Sequence, residues 1–145
     1  MTKVLRVPQF RKVINWVINM VVKQIRLSQQ AKDHLSRLKG KTGIKNWNIL
    51  CRWALCYSLS EFTIPTDIPL VADSNLEMSW MTFAGEYYEL YEALVKAWCI
   101  RMKLPTDDET LSKYFRLNLE RGISHLCGTG FIKSIDDLIN LAIEE

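Results

Sequence analysis

The sequence predicts a mainly α-helical, compact domain that begins with a short β-element, and three observations lead there. Apolar residues recur at three- and four-residue spacing through most of the chain, the signature of helices with one buried stripe. The clearest alternating run is short and early: Lys23, Ile25 and Leu27 would face one way and Gln24, Arg26 and Ser28 the other, as in a strand with one buried side. Residues that start and stop helices stand at the ends of the periodic stretches, with Ser28 before one and glycines after it. A length of 145 residues suits one domain, and 48% hydrophobic residues with 10% aromatics exclude a disordered chain.

Taken in order, residues 1–22 are an amphipathic N-terminal extension. Gln9 to Val22 reads as a helix, or as a helix running into strand, with Phe10, Val13, Ile14, Val17, Ile18 and Val21 spaced for one face. The alternatives are packing on the core, self-association or a poorly ordered extension; the first two are expected over a membrane role, because only Lys3, Arg6, Arg11 and Lys12 supply positive charge. The run from Val13 to Val22 carries Asn15 and Asn19 and falls short of the ~20 apolar residues a membrane span needs. Arg11 and Lys12 before it imitate a signal peptide, but no small-residue cleavage site follows.

Residues 23–145 are expected to form a single domain, opening with a basic strand–helix–turn–helix module over 23–59, a ribbon-helix-helix-like start. From Ser28, a good N-cap, Ala31, Leu35 and Leu38 set a helical stripe, and Gly40 and Gly43 are expected to end it with positive φ. Trp47, Leu50, Ala54 and Tyr57, with Trp53 beside them, make a second helix. Residues 60–75, with Ile64-Pro65 and Ile68-Pro69, form an extended, turning connector. Glu77 to Phe83 fits neither period. Gly85 precedes a helix to about Met102 whose apolar members are Tyr87, Leu90, Tyr91, Leu94, Trp98 and Ile100. Leu104-Pro105 ends it, and Thr106-Asp107-Asp108-Glu109 reads as a capping box for the next helix, which carries Leu111, Tyr114, Phe115, Leu117, Leu119, Ile123 and Leu126. After a turn at Gly128-Thr129-Gly130, Ser134 opens a last helix through Ile143.

Charge divides the chain. Residues 1–57 carry a net +11 and residues 58–145 a net −8, within an overall +3. An anionic partner suits the first part; solvent or a basic protein surface suits the second. Cys51, Cys56, Cys99 and Cys127 form no C-x-x-C pair and are too widely spaced for a zinc motif, so reduced, mostly buried thiols in a cytoplasmic protein are expected, with no metal and no cofactor. His34 and His125 are the only histidines, too little for a triad or a histidine-rich site. Asp107-Asp108-Glu109 at a helix start is explained by the macrodipole, and no phosphate-loop run exists. The sequence therefore argues against an enzyme. From Lys23 to Arg52, eight residues are Lys or Arg against one acid, Asp33. Lys32, Arg37, Lys39, Lys41 and Lys45 are the expected phosphate contacts, with Arg26 and Arg52 as further DNA-binding candidates. Arg52 has an alternative as a brace inside the core helix, and Trp47, Trp53 and Trp80 are assigned to packing or oligomer contacts.

Several runs also resemble a known family. Ile25-Arg26-Leu27-Ser28, Ala31-Lys32-Asp33, Thr42-Gly43-Ile44 and above all Trp47-Asn48-Ile49-Leu50-Cys51-Arg52-Trp53-Ala54 are similar to the DndE family of DNA sulfur modification proteins. The likeness continues through Ala72-Asp73-Ser74-Asn75, Glu77-Met78-Ser79-Trp80 and Phe115-Arg116-Leu117 to Arg121-Gly122-Ile123, over roughly residues 24 to 127. The resemblance implies an oligomeric DNA binder, with a tetramer as one candidate, that favours nicked duplex without strong sequence preference. It implies partners in DNA phosphorothioation: a cysteine desulfurase, an iron–sulfur sulfurtransferase-like subunit and an ATPase. The runner-up is an assembly adaptor without a DNA role, docking a basic partner through Glu86, Glu89 and Glu92. A third reading is a ribbon-helix-helix repressor in which Gln24, Arg26 and Ser28 read bases.

Overall fold

A computed structural model describes residues 23–128 and 130–143; the expected amphipathic segment over 9–22 lies outside the described residues. The chain runs β1 (Gln24–Arg26), α1 (Gln29–Thr42), α2 (Trp47–Leu59), β2 (Glu77–Ser79), α3 (Trp80–Ala84), a 3-10 turn at Gly85–Tyr87, α4 (Tyr88–Arg101), α5 (Asp108–Leu126) and α6 (Ile135–Ile143). It is mainly α with a two-stranded antiparallel sheet, in which Gln24 faces Ser79, Ile25 faces Met78 and Arg26 faces Glu77. The predicted alternation holds from Gln24 to Leu27, with Ile25 and Leu27 in the core and Gln24 and Arg26 in solvent, while Lys23 is exposed. β1 therefore finds its partner within the same chain. β2 is part of the stretch whose period was ambiguous. Three residues of strand followed by a five-residue helix are too short for either period to show.

α2 and α5 form the centre. They run antiparallel: Gly122 meets Ala54, and Ser58 meets Asn118. A methyl group on Gly122 would stand 1.9 Å from the Ala54 carbonyl oxygen, so the two backbones touch where no side chain fits. The apolar series predicted for α5, from Leu111 to Leu126, is buried as expected. Trp80, Phe83 and Phe115 lie edge to face or tilted at centroid distances of 5.3–5.5 Å, closing the core beneath α3.

A polar cluster fixes the end of α2. Arg121 Nε donates to Ser58 Oγ (2.7 Å), its Nη1 to both oxygens of Thr63 (3.0 Å) and its Nη2 to the Ser58 carbonyl (3.0 Å). Asn118 Nδ2 in turn donates to the Tyr114 carbonyl at 2.8 Å. Each buried acceptor is satisfied, so the cluster orients the helices without leaving a desolvated orphan.

One boundary and one buried face differ from expectation. Asp107, not Thr106, caps α5: its carboxylate accepts from the Thr110 hydroxyl (2.6 Å) and N–H (3.2 Å), which hold the acid below its usual range. α4 buries Glu92, Val95, Trp98 and Cys99, leaving Tyr87, Leu90, Leu94 and Ile100 exposed. Apolar residues lie on more than one side of that helix, so spacing alone did not select the buried side.

Candidate nucleic-acid interface

The first helix is built by its neighbours as much as by its own sequence. The Ala31 N–H donates to Ser28 Oγ (3.0 Å), the predicted N-cap bond. Ser28 is itself held: its N–H and hydroxyl donate to the two carboxylate oxygens of Glu120 on α5, at 2.9 and 3.0 Å. The connector supplies the rest. Asp73 accepts from the Gln29 N–H (2.8 Å), Ser74 Oγ donates to the Leu27 carbonyl (2.7 Å), and Asn75 Oδ1 accepts from Lys32 Nζ. Asp73-Ser74-Asn75 thus docks the connector on the start of the basic module.

Ala31, Leu35, Leu38 and Thr42 bury one side of α1, which leaves Arg37 and Lys41, one turn apart, on the exposed side. Gly43, at φ 75°, ends the helix and donates its N–H to the Lys39 carbonyl at 2.9 Å. Gly40 lies inside the helix with open space around it, so only the second of the two glycines acts as the stop. Lys39 Nζ sits 3.6 Å over the Trp47 ring, and Lys45 is exposed on the turn. Among the described residues nothing pairs with Arg37, Lys41 or Lys45. The Asn46 side chain makes no cap bond to α2, so first-turn N–H groups of that helix lie beside the same lysines. Arg37, Lys39, Lys41 and Lys45 are therefore gathered around one turn by α1's last turns and α2's start, with positive charge and backbone donors together.

The other three candidates are spread out. Lys32 lies toward the opposite end of α1, bonded to Asn75. Arg26 pairs with Glu77 across the sheet at 2.8 Å, and that bond raises the guanidinium above its ordinary value. Arg52 Nε donates to the Phe83 carbonyl and Nη2 reaches the Thr82 carbonyl at 3.5 Å, holding α3 against α2 as the bracing alternative requires. Arg116, which is not among the candidates, is exposed on α5 and leans on β1 with Nη2 3.5 Å from the Gln24 carbonyl.

Of the three named tryptophans, Trp80 is core, and Trp47 and Trp53 pack partly buried against it. The four cysteines are free, Cys56 exposed and the others buried. Burial pushes the Cys51 thiol up to about 12 and Cys99 up to about 11, so neither is a thiolate at neutral pH. Both histidines line one cleft of about 530 Å³ beside Glu120 and Arg121, but those two charged groups are bonded within the fold, and His125 Nδ1 contacts Glu61 Oε1 at 2.7 Å. Among the described residues no group of three or more His, Cys, Asp or Glu is placed to hold a metal ion. No helix there is long and apolar enough to cross a membrane.

Glu92 revises the acidic surface expected on α4. Glu86 and Glu89 are exposed, but Glu92 is buried, and burial pushes its carboxyl up to about 7. It cannot share a docking face with the other two.

Comparison with known proteins follows the same lines. A family model described as DNA sulphur modification protein DndE matches residues 24–134. Similar solved structures include two of DndE. One is a crystal structure of DndE from Escherichia coli B7A, described as involved in DNA phosphorothioation modification, at 27% identity and a TM-score of 0.60, covering 73% of this chain and 97% of that one. The other, a double glycine-to-lysine mutant of DndE, agrees in fold at 23% identity and a TM-score of 0.54, covering 73% and 99%. No curated protein matches. With the family model spanning most of its length and the folds in agreement, the chain belongs to the DndE family of DNA sulphur modification proteins.

Proposed function

We propose that this protein is the DNA-binding subunit of a DNA phosphorothioation system, gripping duplex phosphates around the turn between α1 and α2. The carrying observation is the gathering of Arg37, Lys39, Lys41 and Lys45 at one exposed turn, with three of the four cations unpaired among the described residues. Such groups neutralise phosphates and release counterions without reading bases. Arg37 and Lys41 contact adjacent phosphates from the outer side of α1, Lys45 and Lys39 close on the turn, and Lys32 extends the contact along the helix. Arg26 and Arg52 stand outside this grip: Arg26 is paired with Glu77 across the sheet and Arg52 braces α3 against α2. A nick lets the duplex bend toward the turn, which is why nicked duplex is the preferred form. Sulfur delivery belongs to the partners implied by the family: the cysteine desulfurase, the iron–sulfur sulfurtransferase-like subunit and the ATPase. The protein acts as a homo-oligomer in the cytoplasm and carries no catalytic role of its own.

Binding to intact, nicked and single-stranded DNA of unrelated sequences tests this reading. Nicked duplex should bind most tightly whatever its sequence; absence of binding to every form at low salt would overturn it. The adaptor reading keeps one observation in its favour, the exposed Tyr87, Leu90 and Leu94 beside Glu86 and Glu89 on the 3-10 turn and the start of α4. It predicts nuclease-resistant co-purification that fails after mutation of Glu86 and Glu89.

A further inference from the structure

Two exposed cations of the fold are neutralised across it: Arg26 by Glu77 at 2.8 Å and Lys113 by Asp67 at 2.7 Å. Lys32 and Lys39 on α1 are held differently, by neutral groups. Lys32 Nζ donates to the side-chain oxygen of Asn75, and Lys39 Nζ sits 3.6 Å from the centre of the Trp47 ring. Asp33, the one acid of α1, accepts instead from Gln29 Nε2 at 3.0 Å. Among the described residues no carboxylate pairs with Lys32 or Lys39.

Both lysines are half-buried, whereas Arg37, Lys41 and Lys45 are exposed. Spaced i and i+7, Lys32 and Lys39 share one side of α1, about 10 Å apart along its axis. Each is fixed by a different element. Trp47 opens α2, and Asn75 closes the Asp73-Ser74-Asn75 stretch that bonds to the Gln29 N–H and the Leu27 carbonyl.

The choice of holder has a physical consequence. A lysine free in solvent samples many rotamers, and ordering it on a phosphate opposes binding; one that is already fixed loses less. A carboxylate would fix it and also cancel the charge that attracts the phosphate. An amide oxygen and a ring face fix the ammonium and leave that charge whole, and Asn75 occupies only one of its three N–H donors. The same contact bears on Trp47. A base stacking on that ring face would have to displace the ammonium, so the face serves the lysine and not a base.

We propose that Asn75 and Trp47 are positioning residues of the DNA site, neutral holders that fix Lys32 and Lys39 along one side of α1 with their charge intact. This rests on the phosphate-binding reading above, and it gives a part in binding to two residues that carry no charge and act through their lysines.

Two double-mutant cycles, read as binding to nicked duplex over a salt series, test it. Trp47→Leu and Asn75→Ala should each weaken binding about two- to tenfold, the effect of ordering one long side chain, at an unchanged salt slope. Neither should weaken it further in a chain that already carries Lys39→Ala or Lys32→Ala respectively. Asn75→Asp separates holding from neutrality: it keeps Lys32 in place but cancels its charge, so here the slope should become shallower, by up to about 0.9. Trp47 also packs partly against the core, so Asn75→Ala, at an exposed position, keeps the test independent of folding. Unchanged affinity in both single variants would overturn the proposal. Equal losses with and without the lysine would do the same, since ring and amide would then act on DNA or on the fold by themselves. Absence of binding by the unaltered protein would overturn the DNA reading, and this proposal with it.

Discussion

Gly122→Ala is the smallest change that probes the centre of the fold. On ordinary helix propensity it should help, since alanine is favoured over glycine by about 1 kcal/mol in a helix interior. The structure reverses the sign. The added methyl would lie 1.9 Å from the Ala54 carbonyl oxygen, 2.5 Å from its carbonyl carbon and 3.1 Å from its Cα, all backbone atoms that cannot rotate away. Restoring ordinary contact requires α2 and α5 to part locally by roughly 1.5 Å, loosening the contacts beside Leu50, Leu55 and Ile123. Overpacking of this kind costs about 1–3 kcal/mol or more, and here no flexible side chain absorbs it. We expect a net loss of about 2 kcal/mol, read as a lower urea midpoint at unchanged m-value and a melting temperature lower by about 5–8 °C. Gly40→Ala is the internal control. Its methyl would meet nothing within 4 Å, so the same substitution should stabilise, by about 0.5–1 kcal/mol. A Gly122→Ala midpoint equal to or above the unaltered protein's would refute the backbone contact.

Three further outcomes follow from particular contacts. Arg52→Ala removes the donors to the Phe83 and Thr82 carbonyls and should cost about 1–3 kcal/mol in denaturant melts, yet leave the salt dependence of DNA binding unchanged; a lower salt slope would make Arg52 a phosphate contact instead. Glu92 is an acid whose folded value, about 7, is raised by burial above the ordinary one, so the protonated form favours the fold. Its stabilising contribution is full below about pH 4.5 and is lost as pH rises through about 7. Glu92→Gln should therefore outperform the unaltered protein by about 2–3 kcal/mol more at pH 8 than at pH 5; equal differences at both pH values would show that the carboxyl is solvated. Asp73→Ala, which removes the acceptor of the Gln29 N–H, should lower stability by about 1 kcal/mol and leave the melt otherwise cooperative. No change would show that the connector does not hold the start of α1.

The first half of the fold was legible because its signals are local. Ser28 caps, Ala31, Leu35 and Leu38 bury, and Gly43 turns left-handed, each within one or two turns of the residue that reveals it. What was not legible depended on partners distant in sequence. Gly122 reads as a weak helix position until Ala54 is placed against it, and Glu92 reads as a surface acid until α4 is turned onto its Val95–Trp98 side. Gly40 suggested a helix end because glycine lowers propensity, but the periodic burial of Leu38 and Thr42 carried α1 past it. The candidate interface divides in the same way. The cluster at the turn followed from nearness in sequence, whereas the bonds that engage Arg26 and Arg52 join residues 51 and 31 positions away. Arg116 reached the strand by the converse route, from 92 positions away.

The measurement that bears most directly on the central claim is the salt dependence of duplex binding by the unaltered protein and by Arg37→Ala/Lys41→Ala/Lys45→Ala. These three exposed side chains have no partner among the described residues, so their loss should spare the fold. If each neutralises one phosphate, the slope of log affinity against log salt should become shallower by about 2.7, at 0.9 per contact, and by the same amount on unrelated sequences. An unchanged slope with unchanged affinity would place DNA elsewhere on the protein and contradict the account.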